Sequence, residues 1–293
     1  MSIQKYLAFI KAVEFGSFTK AAVALKCSQS GISRMINDLE VEWDITLLER
    51  GRSGVSLTSD GMTLLPQMQR ICNEQTILKA KVDELHDMQA GMIRIGTFSS
   101  VATHWLPKII KVFQKDYPKI DFELLLGDYT EIERWVLEGR VDFGFLRLPT
   151  TVELETVFLE NDRLLVVIPC DHPLAHYDKF PIMDLANYPF MLLEKGAKAE
   201  ISEILEEHNV SPNIHFTTWD DYAIMSMIES GLGISILPEL ILQRIPYKIL
   251  AKELEKPAFR KIGIAMRERK SLSFSTKRFL EYMNFRNAAT VVS

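Results

Sequence analysis

The chain has 293 residues, 47% of them hydrophobic and 25% charged, which is an ordinary globular composition and long enough for two or three compact domains. The net charge of −5 excludes a uniformly basic nucleic-acid binder, although residues 1–58 hold seven Lys/Arg against six Asp/Glu and are slightly basic. Three cysteines without metal-ligand or redox spacing, and an N-terminus unlike a signal peptide or membrane span, lead us to expect a cytoplasmic protein without membrane association.

The first 43 residues show three short helical patterns in close succession. Apolar residues at helical spacing predict a helix over 3–15, and Ser17 is placed to cap a second, alanine-rich helix that runs to Leu25. A tight turn at Cys27-Ser28 leads into a third helix, which has an apolar stripe of Ile32, Met35, Ile36 and Leu39. Two short helices joined by so tight a turn are typical of a helix-turn-helix.

A hairpin follows the three helices. Leu47–Arg50 and Val55–Thr58 read as short strands, and the glycine-containing segment 51–54 between them reads as a turn. A hairpin at this place makes the predicted domain a winged helix-turn-helix.

Polar and basic side chains gather at the start of the third helix and at the hairpin tip. Glutamine and arginine on a recognition helix make bidentate contacts to adenine and guanine in the major groove. The alternative for Arg34 is an ion pair with Asp38 one turn along the helix, and a charged hairpin is often only solvated. Because the two features adjoin, we predict DNA contacts from Ser28, Gln29, Ser30, Ser33, Arg34, Arg50 and Arg52.

Residues 59–88 form one long predicted helix with a heptad seam. The seam alternates spacings of four and three, and Pro66 is expected to kink or weaken its first turns. The pattern favours pairing with a second copy of the chain, and the alternative is packing against the helix's own domain. The seam residues are Leu64, Met68, Ile71, Gln75, Leu78, Val82 and Leu85.

From residue 92 onward, strands and helices alternate, which predicts a parallel sheet with right-handed crossovers. The predicted strands are 92–96, 120–126, 141–146, 164–168, 214–217, 234–237 and 261–266, and the predicted helices are 101–116, 131–137, 199–208, 222–230 and 274–286.

Several runs resemble the LysR-type transcriptional regulators, and the likeness extends over almost the whole chain. In the predicted DNA-binding part, these runs are Phe18-Thr19-Lys20-Ala21-Ala22, Ser28 to Arg34, Leu39-Glu40, Leu48-Glu49-Arg50, Leu57-Thr58 and Gly61. Further along they are Leu106-Pro107, Leu137 to Asp142, His172-Pro173-Leu174-Ala175, Gly231 to Ile234 and Leu237-Pro238.

The resemblance implies an architecture and an assembly. It implies a winged helix-turn-helix over 1–58, a linker helix over 59–90 and an effector-binding domain over 91–293. That last domain would be an α/β structure of two lobes like the type 2 periplasmic binding proteins, with lobe 1 at 91–162 and 267–293, lobe 2 at 163–266, and two crossing strands as the hinge. It further implies dimers through the linker helix that assemble into homotetramers.

A small-molecule effector is expected between the lobes, with an anion favoured. Free amides and the dipole at the helix start after Gly96 attract negative charge, although the hydroxyls there are equally explained as helix caps. The resemblance implies that hydroxyls matching Ser100 and Thr130 hold a carboxylate. Arg147 is either a charged anchor or a surface residue. The predicted effector contacts are Ser99, Ser100, Thr130, Arg147, Thr218 and Trp219.

The sequence offers no catalytic or metal-binding constellation. It has no Walker loop, no GxSxG motif and no metal-spaced cluster, so we predict neither an enzyme nor a cofactor. We therefore predict a DNA-binding transcription regulator whose partners are double-stranded DNA, an effector, further copies of itself and RNA polymerase. The alternatives are a constitutive regulator without a ligand, a cytosolic solute-binding protein and a small-molecule enzyme.

Overall fold

A computed structural model describes residues 2–51, 54–86, 90–193 and 200–287 of the chain. These residues form two compact units, which are described one at a time. None of the described helices is long and apolar enough to cross a membrane.

The first unit is the predicted winged helix-turn-helix followed by a long helix. Its elements are α1 (Ile3–Phe15), α2 (Phe18–Ala24), α3 (Gln29–Trp43), β1 (Leu48–Gly51), β2 (Gly54–Leu57) and α4 (Ser59–His86). Gly16 ends α1 with a left-handed φ of 58°, and the Ser17 hydroxyl accepts a hydrogen bond from the Lys20 amide to start α2. The apolar sides of all three short helices meet in one core that also takes in Leu47 and Leu48.

The hairpin and the start of α4 are held tightly to the helices. One carboxylate oxygen of Glu40 on α3 accepts hydrogen bonds from the amides of Leu47 and Leu48, at 2.8 and 3.1 Å. At Gly61, a Cβ would lie 2.2 Å from the Leu47 carbonyl oxygen, so only glycine lets α4 approach the hairpin this closely. The wing and the beginning of α4 therefore form one rigid piece with α3.

The long helix α4 changes character along its length. Pro66 lies inside it, yet the helix is continuous from Ser59 to His86. Met68 is buried in the core of the winged domain, whereas Ile71, Leu78 and Val82 are 46%, 62% and 43% exposed. The first part of the seam thus packs on its own domain, and the second part leaves apolar side chains at the surface. The side chain of Leu85 and the predicted last two helical residues, 87 and 88, lie outside the described residues.

The second unit is a two-lobed α/β structure, as predicted. Its helices are α5 (Ser99–His104), α6 (Leu106–Asp116), α7 (Tyr129–Leu137), α8 (Glu200–Glu207), α9 (Asp221–Glu229) and α10 (Phe274–Leu280). Its strands are β3 (Ala90–Thr97), β4 (Lys119–Leu126), β5 (Phe143–Leu148), β6 (Glu155–Pro169), β7 (Lys179–Phe180), β8 (Pro189–Leu193), β9 (Asn213–Thr218), β10 (Ser235–Pro238) and β11 (Ile249–Met266). Short 3₁₀ helices cover Ile182–Asn187, Glu239–Arg244, Arg269–Ser271 and Met283–Asn287.

A mixed sheet joins the two lobes. Its order is β10-β6-β11-β5-β3-β4, with the short β7 beside β11, and β8 pairs with β9 in parallel as a separate small sheet. The strands β3, β4 and β5 pair in parallel, whereas β11 pairs antiparallel with both β5 and β6. The parallel βαβαβ arrangement that the sequence predicts is thus present in lobe 1.

Two long strands run through both lobes. The C-terminal half of β11 lies in the lobe 1 core through Ile262 and Ile264, while its N-terminal half reaches the lobe 2 core at Leu254. In β6, Leu159 packs on the first core and Leu164 lies in the second. Asp162 pairs in register with Arg260 between these points, so both residues lie where the strands pass from one lobe to the other.

Several predicted boundaries are wrong, each for a local physical reason. The single helix predicted over 101–116 is two helices that meet at Trp105, because Pro107 fits only the first turn of a helix. The strands predicted over 164–168 and 261–266 are only the ends of β6 and β11. Charged residues in the middle of both strands interrupt the apolar pattern, so the sequence does not show their full length. The last helix ends at Leu280 rather than residue 286, and β7 and β8 are strands that the sequence reading missed.

Candidate functional site

The start of α3 presents an exposed polar face. Ser28 caps the helix by accepting a hydrogen bond from the Gly31 amide at 3.1 Å, and its hydroxyl lies 3.1 Å from that of Ser30. Gln29 and Arg34 are exposed, and Arg34 has no ion pair with Asp38 or any other acid in the part of the chain that the structure describes. The ion pair between Arg34 and Asp38, which was the alternative to a DNA contact, is therefore not formed.

Arg50 of the wing lies against α3. Its guanidinium donates to Asn37 Oδ1 at 2.9 Å and to Ser33 Oγ at 3.4 Å, is 3.6 Å from Glu40 Oε2, and lies 5.2 Å from the centre of the Phe18 ring. These contacts brace the wing against the recognition helix and fix the hydroxyl of Ser33. Arg52, the other predicted wing contact, lies outside the described residues.

Five side chains from both lobes and the two crossing strands meet in a buried group that we call the inter-lobe cluster: Ser100, Tyr129, Asp162, Glu200 and Arg260. Arg260 is its centre and is 4% exposed. Its Nε donates to Asp162 Oδ2 at 2.9 Å, its Nη2 to Ser100 Oγ at 2.7 Å and its Nη1 to the Tyr129 hydroxyl at 3.0 Å. Tyr129 in turn donates to Glu200 Oε1 at 3.1 Å, which lies 3.5 Å from Arg260 Nη1.

The charges of the cluster are fixed by its own members. Burial lowers the pKa of Arg260, but the neighbouring Tyr129, Asp162 and Glu200 raise it by a larger amount. The net shift is therefore upward, and the guanidinium stays charged. Burial also raises the pKa of Tyr129 well above its usual value, so its hydroxyl remains protonated and donates. A buried arginine is tolerated because several acceptors satisfy its donors together.

Asp221, the first residue of α9, lies beside this cluster. Burial raises the pKa of its carboxyl to about 6, while Arg260 and a hydrogen bond from Ser99 lower it in part. Ser99 of lobe 1 thus lies close to Asp221 of lobe 2.

The other predicted effector residues differ in their surroundings. Arg147 on β5 donates from Nη1 to Glu203 Oε1 at 2.9 Å, and its Nη2 pairs with the other oxygen of the same carboxylate. Thr130 is exposed, and its neighbour Tyr129 takes the place in the cluster. Thr218 accepts a hydrogen bond from the Asp220 amide at 3.3 Å, and Trp219 is 52% exposed.

The structure therefore brings Ser99 and Ser100 together with four charged residues that the sequence reading missed or set aside. Asp221 reads in the sequence as a helix-start acid, and Arg260 precedes the strand as it was predicted. The available signal is the pattern of β11, in which a lone arginine occupies an inward position between Ala258 and Ile262. Asp162 and Glu200 carry no such signal, because their pairing requires the crossing of the strands.

Comparisons with known proteins cover both units. A family described as "Bacterial regulatory helix-turn-helix protein, lysR family" matches residues 3–62, and one described as "LysR substrate binding domain" matches residues 86–286.

The chain is also similar to individual proteins. It is 30% identical to the HTH-type transcriptional regulator YvbU of Bacillus subtilis (strain 168), over 96% of this chain and 97% of that one. The crystal structure of CbnR, a LysR family transcriptional regulator, matches with a TM-score of 0.76 and 20% identity over 99% of this chain and 100% of that one. Full-length CbnR complexed with its target DNA matches with a TM-score of 0.74 and 21% identity, over 98% of this chain and 100% of that one.

Proposed function

The chain belongs to the LysR family and is a DNA-binding transcription regulator with an effector-binding domain, and from that premise we propose which residues perform the two tasks. α3 enters the major groove, and a small molecule bound between the lobes changes the DNA-bound arrangement. The protein acts in the cytoplasm, on promoters where it meets RNA polymerase.

The DNA contacts come from the exposed start of α3. Ser28 and Ser30 face phosphate together with the helix amides, and Gln29, Ser33 and Arg34 face base edges. The observation that carries this assignment is the exposed Arg34, which has no ion-pair partner among the described residues. Arg52, outside the described residues, stays a predicted DNA contact, and Arg50 contributes through its bonds to Ser33 and Asn37. Direct contact of Arg50 with DNA stays a prediction.

Pairing of two chains uses the second part of α4. The exposed side chains Ile71, Leu78 and Val82 lie at the heptad spacing of a coiled-coil seam, and burial against a second copy removes their apolar surface from water. Two paired chains place two recognition helices on successive half-sites, and two such pairs make the proposed tetramer.

The effector binds near the inter-lobe cluster, and we favour an anion. Ser100 and Tyr129, in the first turns of α5 and α7, both contact Arg260, so the positive ends of these two helix dipoles lie beside the cluster, and Arg147 adds a further full charge. Thr218 and Trp219 line the second lobe beside the start of α9 in this proposal.

A constitutive regulator is the second candidate. It is favoured by the complete pairing of Arg260 with the chain's own groups, which joins the two lobes through Ser100, Tyr129 and Glu200. Lobes held in this way need no ligand to remain together. A small-molecule thermal-shift screen separates this candidate from an effector-responsive regulator.

The test of the DNA assignment is a footprint on the DNA upstream of the protein's own gene and of the neighbouring divergent gene. We expect protection of a spaced, roughly palindromic site and at least about a fivefold loss of affinity for Arg34→Ala, since one bidentate base contact is worth about 1–3 kcal/mol. Arg134→Ala, an exposed arginine of the second unit, is the matched control and keeps the footprint. Equal affinity of the two variants rejects the assignment of Arg34.

A further inference from the structure

Helix α8 carries two carboxylates that reach out of lobe 2. Glu200 and Glu203 are three residues apart, so they lie on the same side of the helix one turn apart. Glu200 contacts Arg260 and Tyr129, whereas Glu203 holds Arg147 of lobe 1 with both of its oxygens. One helix thus supplies an acid to each of two arginines.

The two arginines differ in how accessible they are. The side chains of Arg260 and Glu200 are 5% and 12% exposed, and all three guanidinium nitrogens of Arg260 have a partner. The side chains of Arg147 and Glu203 are 20% and 55% exposed. A dissolved anion can therefore reach Arg147, while reaching Arg260 first requires breaking a buried network.

We propose that Arg147 is the binding site for the carboxylate of the effector. Glu203 is an intramolecular competitor that occupies this site until the effector displaces it. This inference rests on the proposed effector-responsive function. It moves the anchor from Ser100, whose hydroxyl already accepts a hydrogen bond from Arg260, to an arginine at the edge of the cleft.

Charge and geometry both favour this exchange. Arginine holds any carboxylate in the same two-point geometry, so the ligand's carboxylate reproduces the contact that Glu203 makes. The exchange leaves the charge beside Arg147 unchanged, and Glu203 returns to water at small cost because exposed ion pairs contribute little. A cationic ligand is not expected to bind here, because the guanidinium of Arg147 repels it and already holds Glu203.

The exchange also has a structural consequence. Arg147 belongs to β5 of lobe 1, and Glu203 belongs to α8, whose neighbours Ile201 and Ile204 lie in the lobe 2 core. Displacing Glu203 removes one contact between the lobes and leaves the Glu200 contact in place. The effector then changes the balance of inter-lobe contacts by the same step that binds it.

The test compares two probes of similar size and opposite charge, butyrate and butylamine, at millimolar concentration by ligand-observed NMR on the full-length protein. We expect butyrate to bind the unaltered protein weakly and to bind Glu203→Gln about threefold more tightly, because the competitor is gone. Arg147→Gln loses butyrate binding. Butylamine binds none of these proteins at this site.

The matched control is Glu207→Gln, which removes an exposed carboxylate from the same helix and keeps the affinity of the unaltered protein. The proposal is overturned when Glu203→Gln binds butyrate no better than Glu207→Gln, when Arg147→Gln still binds it, or when none of the proteins binds it. Footprints of the same variants report separately on DNA binding. If butyrate does not bind at Arg147 but the footprint is intact, only the proposed binding site is rejected and the regulator function is unaffected.

Discussion

The recognition helix and the inter-lobe cluster use arginine in opposite ways. Arg34 is exposed and has no ion-pair partner among the described residues, whereas Arg260 is buried and surrounded by acceptors of its own chain. Arg34, the proposed base contact, is unpaired in water, where its charge costs little. Arg260 is already satisfied by groups of its own domain. Within the winged domain, exposure without an ion pair among the described residues therefore identifies a DNA-contact residue better than charge alone.

Removal of the buried Arg260 tests its contrast with Arg34 most directly. Arg260→Met is expected to lower the free energy of unfolding of the second unit by about 3–5 kcal/mol, because Asp162 and Glu200 are left as buried carboxylates without their counter-charge. Urea unfolding followed by circular dichroism measures the loss.

The control for this change is Arg244→Met, at an exposed position of the same unit, which is expected to alter stability by less than about 0.5 kcal/mol. A loss for Arg260→Met as small as that of the control contradicts a central role for the cluster.

Titration of Asp221 tests whether the surroundings of Arg260 tolerate a further negative charge. Its folded pKa of about 6 lies above the ordinary value of 3.8, so the ionised form is disfavoured in the folded state and this group lowers stability as pH rises from about 4 to about 6. Asp221→Asn removes that dependence. Relative to the unaltered protein, the variant is expected to gain about 2 kcal/mol between pH 4 and pH 7.

The measurement is the free energy of unfolding of both proteins at closely spaced pH values. Gln243→Asn, at an exposed position of the same unit, is the control, and its effect on stability should not change with pH because neither side chain titrates. A difference between Asp221→Asn and the unaltered protein that stays constant with pH means that Asp221 titrates in its ordinary range.

The smallest expected effect concerns Arg50, whose position lies between the two extremes, exposed but bonded to α3. Arg50→Ala is expected to destabilise the first unit by about 1 kcal/mol, because hydrogen bonds to Asn37 and Ser33 are lost, and to weaken DNA binding by misplacing the wing. The salt dependence of the DNA affinity separates bracing from the direct contact that stays predicted for Arg50. A slope reduced by about one means that Arg50 itself contacts phosphate, and an unchanged slope means that it only positions the wing.

The sequence predicted the parts of the fold that local signals specify. Ser17 and Ser28 mark the starts of α2 and α3 and cap them as expected, and the family resemblance, the winged helix-turn-helix and the two-lobed second unit are confirmed. Caps and apolar stripes are local features, which is why single stretches of sequence reveal them.

The interior of the cleft was less predictable, because its members are far apart in the chain. Arg260 on β11 and Ser100 on α5 are 160 residues apart, and only the folded second unit brings them together. The sequence predicts Thr130 rather than Tyr129 as the cleft residue, since a helix start does not show which of two adjacent side chains faces inward. The effector contacts and the domain boundaries remain predictions.

The close approach at Gly61 also bears on how this protein can be used. Since α4 meets the hairpin backbone without room for a side chain, the angle at which α4 leaves the wing is built into the first unit itself. The first unit is in this sense a DNA-binding module from which α4 extends at a fixed angle. Joining a foreign sensor to the end of α4 should preserve the geometry of the DNA-reading head, and a bulky residue at position 61 should spoil it wherever the sensor comes from.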